Sequence, residues 1–240
     1  MISPIFTTVV IGFLAIMIYM KATTNRFNTG DEELIEREAR ANSVRKKSLD
    51  ELEYITIPFE RLPFAELRHT EASNTDGTAD SGQSGSNTSG YVSSFSCNPD
   101  EILRQDENEV IKLKGKKIVN FTGVSNTDLK TAYGAPNLTM LTEYDQNFTS
   151  LKKALDTWGS HLIEHGQKGD ARRVLEFAVE CRTDLKSTYV NLADIYAEGF
   201  EFDKIDHLIE VSDGLDSLMK GPIIRALKEK CDINKYVETK

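Results

Sequence analysis

LDTWGSHLIEHGQKGDARRVLEFAVECRTDLKST (155–188) and YVNLADIYAEGFEFDKIDHLIEVSDGLDSLMKGP (189–222) decide the fold when one is laid on the other. Leu155, Tyr189 and Ile223 stand 34 residues apart. At that offset Trp158 falls on Leu192, Gly159 on Ala193, Leu162 on Tyr196, Ala171 on Ile205, Leu175 on Ile209 and Ala178 on Ser212. Apolar residues recur at helical spacing, and small ones recur where two helices would cross closely. Upstream, Leu141, Tyr144, Phe148, Leu151, Leu155, Trp158 and Leu162 alternate spacings of 3 and 4. That seam predicts one long helix from about Pro136 to His165, stopped near Gly166 and Gly169.

The pattern resembles the tetratricopeptide repeat, a helix-turn-helix unit of 34 residues. Gly159, Gly166, Ala171 and Ala178 fall where that family has small residues. The second unit departs from it: Phe200 stands where glycine is expected, Gly199 is one place early, and Ile205 and Ser212 replace alanines. The resemblance implies a mainly α protein whose residues 136–240 form an α-α solenoid, closed by a helix around Pro222 to Lys230. About three units are usually needed for stable stacking, so the terminal helices must act as caps or a dimer partner must cover the open ends. It also implies a partner groove on the first helix of each unit. Its positions are Lys153, Asp156, Ser160, Ile163 and Glu164, then Ser187, Val190, Asp194, Ala197 and Glu198. Four acids against one base favour a basic or mixed protein or peptide partner. More loosely, SNTDLKTAYGAPNLTMLTEYDQNF and LADIYAEGFEFDKIDHLIE are similar to stretches of single-pass membrane proteins of Gram-positive anaerobic bacteria. That similarity implies a bacterial origin and a membrane address, and adds no activity.

At the other end, Ile2 to Met20 is uncharged and largely apolar, close to the ~20 residues that span a hydrocarbon core. No Lys or Arg precedes it, which favours an uncleaved anchor over residues 1–20 rather than a signal peptide. Lys21 and Arg26 follow it, so the positive-inside tendency places the C-terminal domain in the cytoplasm of a single-pass cell-membrane protein. Residues 21–52 read as a charged juxtamembrane stalk, whose Arg45, Lys46 and Lys47 could touch lipid headgroups. Residues 53–68 read as an extended segment in which Pro58-Phe59 and Pro63-Phe64 either pack on the main domain or serve as an exposed docking peptide. Residues 69–100 read as a flexible Ser/Gly/Asn linker. Residues 101–135 read as a small mixed segment, with a hairpin turning at Gly115 and a short helix capped by Ser125 or Asn126.

A net charge of −9 argues against nucleic acid as a partner. The lysine cluster Lys112, Lys114, Lys116 and Lys117 has no stacking platform beside it. Cys97, Cys181 and Cys231 form no metal-ligand pattern and read as reduced thiols. The sequons at Asn87, Asn120, Asn137 and Asn147 read as chance in an Asn/Thr-rich chain. His161-Leu162-Ile163-Glu164-His165 matches the H-x-x-E-H pattern of a zinc peptidase class, and both histidines would share a helical face. Catalytic zinc also needs a third protein ligand. Neither a phosphate-binding glycine loop nor a nucleophile elbow occurs. The expected protein is therefore a non-enzymatic, membrane-anchored adaptor without cofactor. The alternatives are a small zinc-dependent hydrolase using His161, Glu164 and His165, or a structural membrane protein whose chains pair along the seam from Leu141 to Leu162.

Overall fold

Helix boundaries follow the stop signals that the sequence supplies. The computed structural model describes residues 4–64 and 99–238, with the side chains of 4–10, 22–31, 99 and 232–238 outside that description. The expected linker lies almost wholly in the residues left out. Among the described residues all regular structure is helical. Helix α1 is Pro4–Asn42, α2 Pro99–Ile111, α3 Asn126–Tyr133, α4 Leu138–Glu164, α5 Lys168–Glu180, α6 Lys186–Glu198, α7 Phe202–Asp213 and α8 Lys220–Glu238. A 3-10 turn, Ala135–Asn137, precedes α4, so Pro136 opens the helical run slightly ahead of the α-helix itself.

Two compact units emerge, and each takes chain from both sides of residues 65–98. The first is Met1–Glu51 with Val124–Leu141, and the second is Leu52–Gly123 with Thr142–Lys240. In the first, the Glu38 carboxylate on α1 accepts from Thr127 Oγ1 at 2.6 Å and from Lys130 Nζ on α3. Lys47 N–H donates to Tyr133 O at 3.1 Å, and Ala135 N–H to Val44 O at 3.2 Å. Gly134 is required here. Its φ is +93°, and a Cβ would stand 2.2 Å from Arg45 O.

Helix α1 runs through Met20 without a break. Among the described residues no helix is long and apolar enough to cross a membrane. The expected span over residues 2–20 therefore has no support in the described residues, and its first part falls outside them.

In the second unit, α4 and α5 form one hairpin, sharing a core and meeting at Gly159 and Leu175, and α6 and α7 form another, with α8 packed on both. Leu155, Tyr189 and Ile223 are each fully buried, as their common period requires. The two hairpin turns match at the same offset. Gly166 has φ +75°, its N–H donates to Ile163 O, and Gln167 N–H donates to Leu162 O. Phe200 has φ +58°, its N–H donates to Ala197 O, and Glu201 N–H donates to Tyr196 O. The left-handed residue thus falls on Phe200, while Gly199 one place earlier stays at φ −84°.

The seam is consumed inside the chain. Phe148, Leu151, Leu155, Trp158 and Leu162 share one core with Ile57, Leu62 and Phe64, with Leu103 and Val110 of α2, and with Val174 and Phe177 of α5. A second core joins Leu175, Tyr189, Leu192, Tyr196, Ile205, Leu208, Ile223 and Leu227. The first hairpin is therefore covered by α2 and the Pro-Phe segment, and the last by α8, whose Arg225, Lys228 and Glu229 are exposed. The seam residues from Leu141 to Leu162 are at most 6% exposed.

The Gly115 hairpin does not form. Val110 and Ile111 are helical, closing α2. Gly115 does turn the chain at φ +77°, but the run after it meets another segment: Ile55 N–H donates to Ile118 O at 2.9 Å. The amphipathic face of α2, from Leu103 to Val110, outweighs the local turn signal.

Candidate functional site

The expected groove positions lie on α4 and α6, and hydrogen bonds sort them into two groups. Asp156 is spent on structure. Its carboxylate accepts from Ser187 Oγ at 2.7 and 2.8 Å and from Thr188 Oγ1 at 2.7 Å. Those hydroxyls belong to the first turn of α6, whose own N-cap residue, Leu185, offers no side-chain acceptor. A carboxylate from the neighbouring helix thus stands against that first turn, where the helix dipole favours negative charge. Ser160 Oγ donates to Asp156 O at 2.8 Å and accepts from the Asn191 amide at 3.1 Å. Lys153 and Glu164 are exposed and Val190 is half-buried.

The other positions converge. Ile163, Asp194, Ala197 and Glu198 line a cleft of about 410 Å³ together with Lys168, Asn191 and Ile195. Sequence pattern missed those last three. Lys168 comes from the start of the second helix of the hairpin, and Asn191 and Ile195 sit beside positions that the repeat pattern marks. The charge count changes accordingly. Glu198 pairs with Lys168 at 2.5 Å, and Asp194 with Lys230 from α8. Two of the four acids expected to select a basic partner, Asp194 and Glu198, already have basic partners from other helices.

A second cleft, about 530 Å³, lies between α5 and α7, with Leu192, Leu208 and Val211 toward its base and Glu176, Glu180, His207 and Glu210 along its walls. Glu176 accepts from Arg172 Nε at 2.9 Å and from the Tyr196 hydroxyl at 2.8 Å. Burial first, and the Glu176 carboxylate after it, push the Tyr196 phenol well above its ordinary range. Burial likewise raises the Cys181 thiol to about 12, with Glu180 adding to it, which disfavours the thiolate. Cys97 lies outside the described residues.

The H-x-x-E-H residues do not assemble as a metal site. His161 Nδ1 is 2.6 Å from Asp106 Oδ2 of α2, while Glu164 is exposed. Among the described residues no group of three or more His, Cys, Asp or Glu is placed to hold a metal ion. Leu162, between the two histidines, is fully buried in the core.

Three of the sequon asparagines are structural. Asn120 donates its amide to Cys181 O and Arg182 O, Asn147 to Lys117 O at 3.0 Å, and buried Asn137 to Lys47 O and Tyr133 O at 2.8 Å each. Asn87 lies outside the described residues.

The chain matches no protein-family model, no curated protein and no solved structure. Its helical hairpins are compatible with a helical-repeat fold.

Proposed function

We propose that this protein is a non-enzymatic adaptor whose tetratricopeptide-like hairpins hold a protein or peptide in the α4/α6 cleft, while residues 2–20 hold the chain at a membrane. The α4/α6 cleft carries the reading. It combines an apolar side, Ile163, Ile195 and Ala197, with Asn191 and two ion pairs at its rim. Lys168, Glu198 and Asp194 are each close to half exposed, and exposed pairs contribute little. A partner's charges can replace those pairings at small cost, which fits a segment of mixed charge carrying an apolar anchor.

The membrane part rests on α1, where Ile11, Phe13, Leu14, Ile16, Met17 and Ile18 are all more than half exposed. A contiguous apolar surface of that kind calls for a cover, and with residues 2–10 the run approaches spanning length. Lys21 and Arg26 after the run favour a cytoplasmic C-terminal domain.

Full-length protein extracted in mild detergent should retain a binding partner that Asp194→Arg and Ala197→Arg variants lose, with unchanged helical circular dichroism. Folded variants that capture the same proteins would remove the cleft from consideration. Carbonate-washed membranes should keep the full chain and release one lacking residues 1–20; retention of the truncated chain would rule out the anchor.

A further inference from the structure

The surface beneath the Pro-Phe segment has a property that neither cleft shares: an occupant already sits on it. Ile57, Leu62 and Phe64 are buried on the α4/α5 hairpin, and the Phe64 ring lies 5.1 Å from the Trp158 ring. Arg61, between them, pairs with Glu180 of α5 at 2.8 Å. The backbone of this turn bonds largely to itself. Phe59 N–H donates to Ile57 O, Arg61 and Leu62 N–H both donate to Pro58 O, and Phe64 N–H donates to Leu62 O. Side chains, rather than a backbone ladder, hold the turn in place.

The fit is also incomplete. Trp158 is fully buried, yet its indole N–H has no acceptor, an unmet donor on the residue whose ring meets Phe64. Those observations describe a peptide seated in a groove, joined to it by chain.

We propose that the α4/α5 surface under Ile57–Phe64 is a peptide-acceptor site, filled in cis by this turn and open in trans to a partner segment of the same chemistry. The partner it fits is a proline-containing turn with two apolar side chains at the spacing of Leu62 and Phe64, preceded by an arginine that reaches Glu180. A partner that places an oxygen on the Trp158 indole gains a hydrogen bond that the cis turn lacks. Occupancy is then a competition, and the cis turn acts as a built-in inhibitor.

The test uses full-length protein in detergent and a fluorescein-labelled peptide of residues 52–64. Leu62→Ala/Phe64→Ala protein should bind the peptide with an anisotropy rise, and wild type should bind it at least about tenfold more weakly, because a tethered competitor acts at high effective concentration. A peptide with both alanines should not bind. No binding by the folded variant, or equal binding by variant and wild type, overturns the proposal. Displacement of the label by intact wild-type chain as efficiently as by free peptide would make a second copy the occupant, and also overturns it. Should the variant lose its helical signal, amide exchange on wild type decides: the amides of Phe59, Leu62 and Phe64 should exchange well before those of Leu155 and Trp158. One common rate would mean that the turn never lifts. Asp194→Arg should leave peptide binding unchanged, so failure here is separable from failure of the α4/α6 cleft.

Discussion

Gly159→Ala should destabilise the second unit, although an alanine is the better helix former. A Cβ at this position would stand 2.5 Å from Leu175 Cδ2 and 2.7 Å from its Cγ. Leu175 is fully buried and cannot swing away. In an open helical position the exchange would gain ~1 kcal/mol; overpacking of a closed core costs ~1–3 kcal/mol. The net expectation is a loss of about 1 kcal/mol from these two opposing effects. Leu175→Ala costs ~2–5 kcal/mol by itself, but it removes both obstructing atoms. In that background Gly159→Ala should therefore gain ~1 kcal/mol, a coupling of about 2 kcal/mol between the sites. The chain has one tryptophan, Trp158, and it is buried in this unit, so its fluorescence in urea follows the unit directly. With a slope of ~1–3 kcal/mol/M the single mutant's midpoint should fall by about 0.3–1 M. If the substitution stabilises in both backgrounds, the two helices do not approach as closely as Leu175 indicates, and the packing argument fails.

The matched turns predict opposite signs: Gly166→Ala, with free space but φ +75°, should cost ~1 kcal/mol, whereas Phe200→Gly should gain up to ~1 kcal/mol. The same urea titration checks both, and equal signs would undo the equivalence of the two turns. For acid stability, burial raises the Asp184 carboxyl, but the hydrogen bond and charge of Lys152, with the Ser217 hydroxyl, outweigh it and hold the pKa below its ordinary 3.8. The folded value being the lower one, this contribution is complete above pH 3.8 and fades as pH falls through the folded value. Lys152→Met should flatten the fluorescence-detected acid transition in that window, and an unchanged profile would assign it to other groups. Asn137→Ala strands two carbonyls near a buried site and should cost ~1–3 kcal/mol; a thermal melt by circular dichroism unchanged from wild type would contradict that role.

Legibility varied with the range of the interaction. The period linking Leu155, Tyr189 and Ile223 was readable because repeated helices must bury the same face, and all three are buried. The packing of Phe64 was readable as one of two options, since a proline-rich turn with large apolar side chains must either cover something or be covered. The charge of the groove was not readable. Lys168 and Lys230 lie outside the positions that the repeat assigns to it, and only the crossing of three helices brings them to Glu198 and Asp194. Asp156 misled for a similar reason: its role as an acceptor for Ser187 and Thr188 depends on a neighbouring helix start rather than on its own helix. Helix α2 was missed because its apolar residues sit in two pairs at its ends, Ile102-Leu103 and Val110-Ile111, and the buried Asp106 and Glu107 between them mimic a solvated stretch.

Both compact units are stitched from early and late stretches of chain, and this fixes the order in which they can appear during synthesis. Leu141 completes the first unit and lies 90 residues after Glu51. At ~5–20 residues per second the N-terminal arm must wait about 5–18 seconds for its partner stretch to be made. Until α4 and α5 emerge, Ile57, Leu62 and Phe64 of the second unit lack the helices on which they pack, so this stretch leaves the ribosome as a sticky segment well before its docking surface exists.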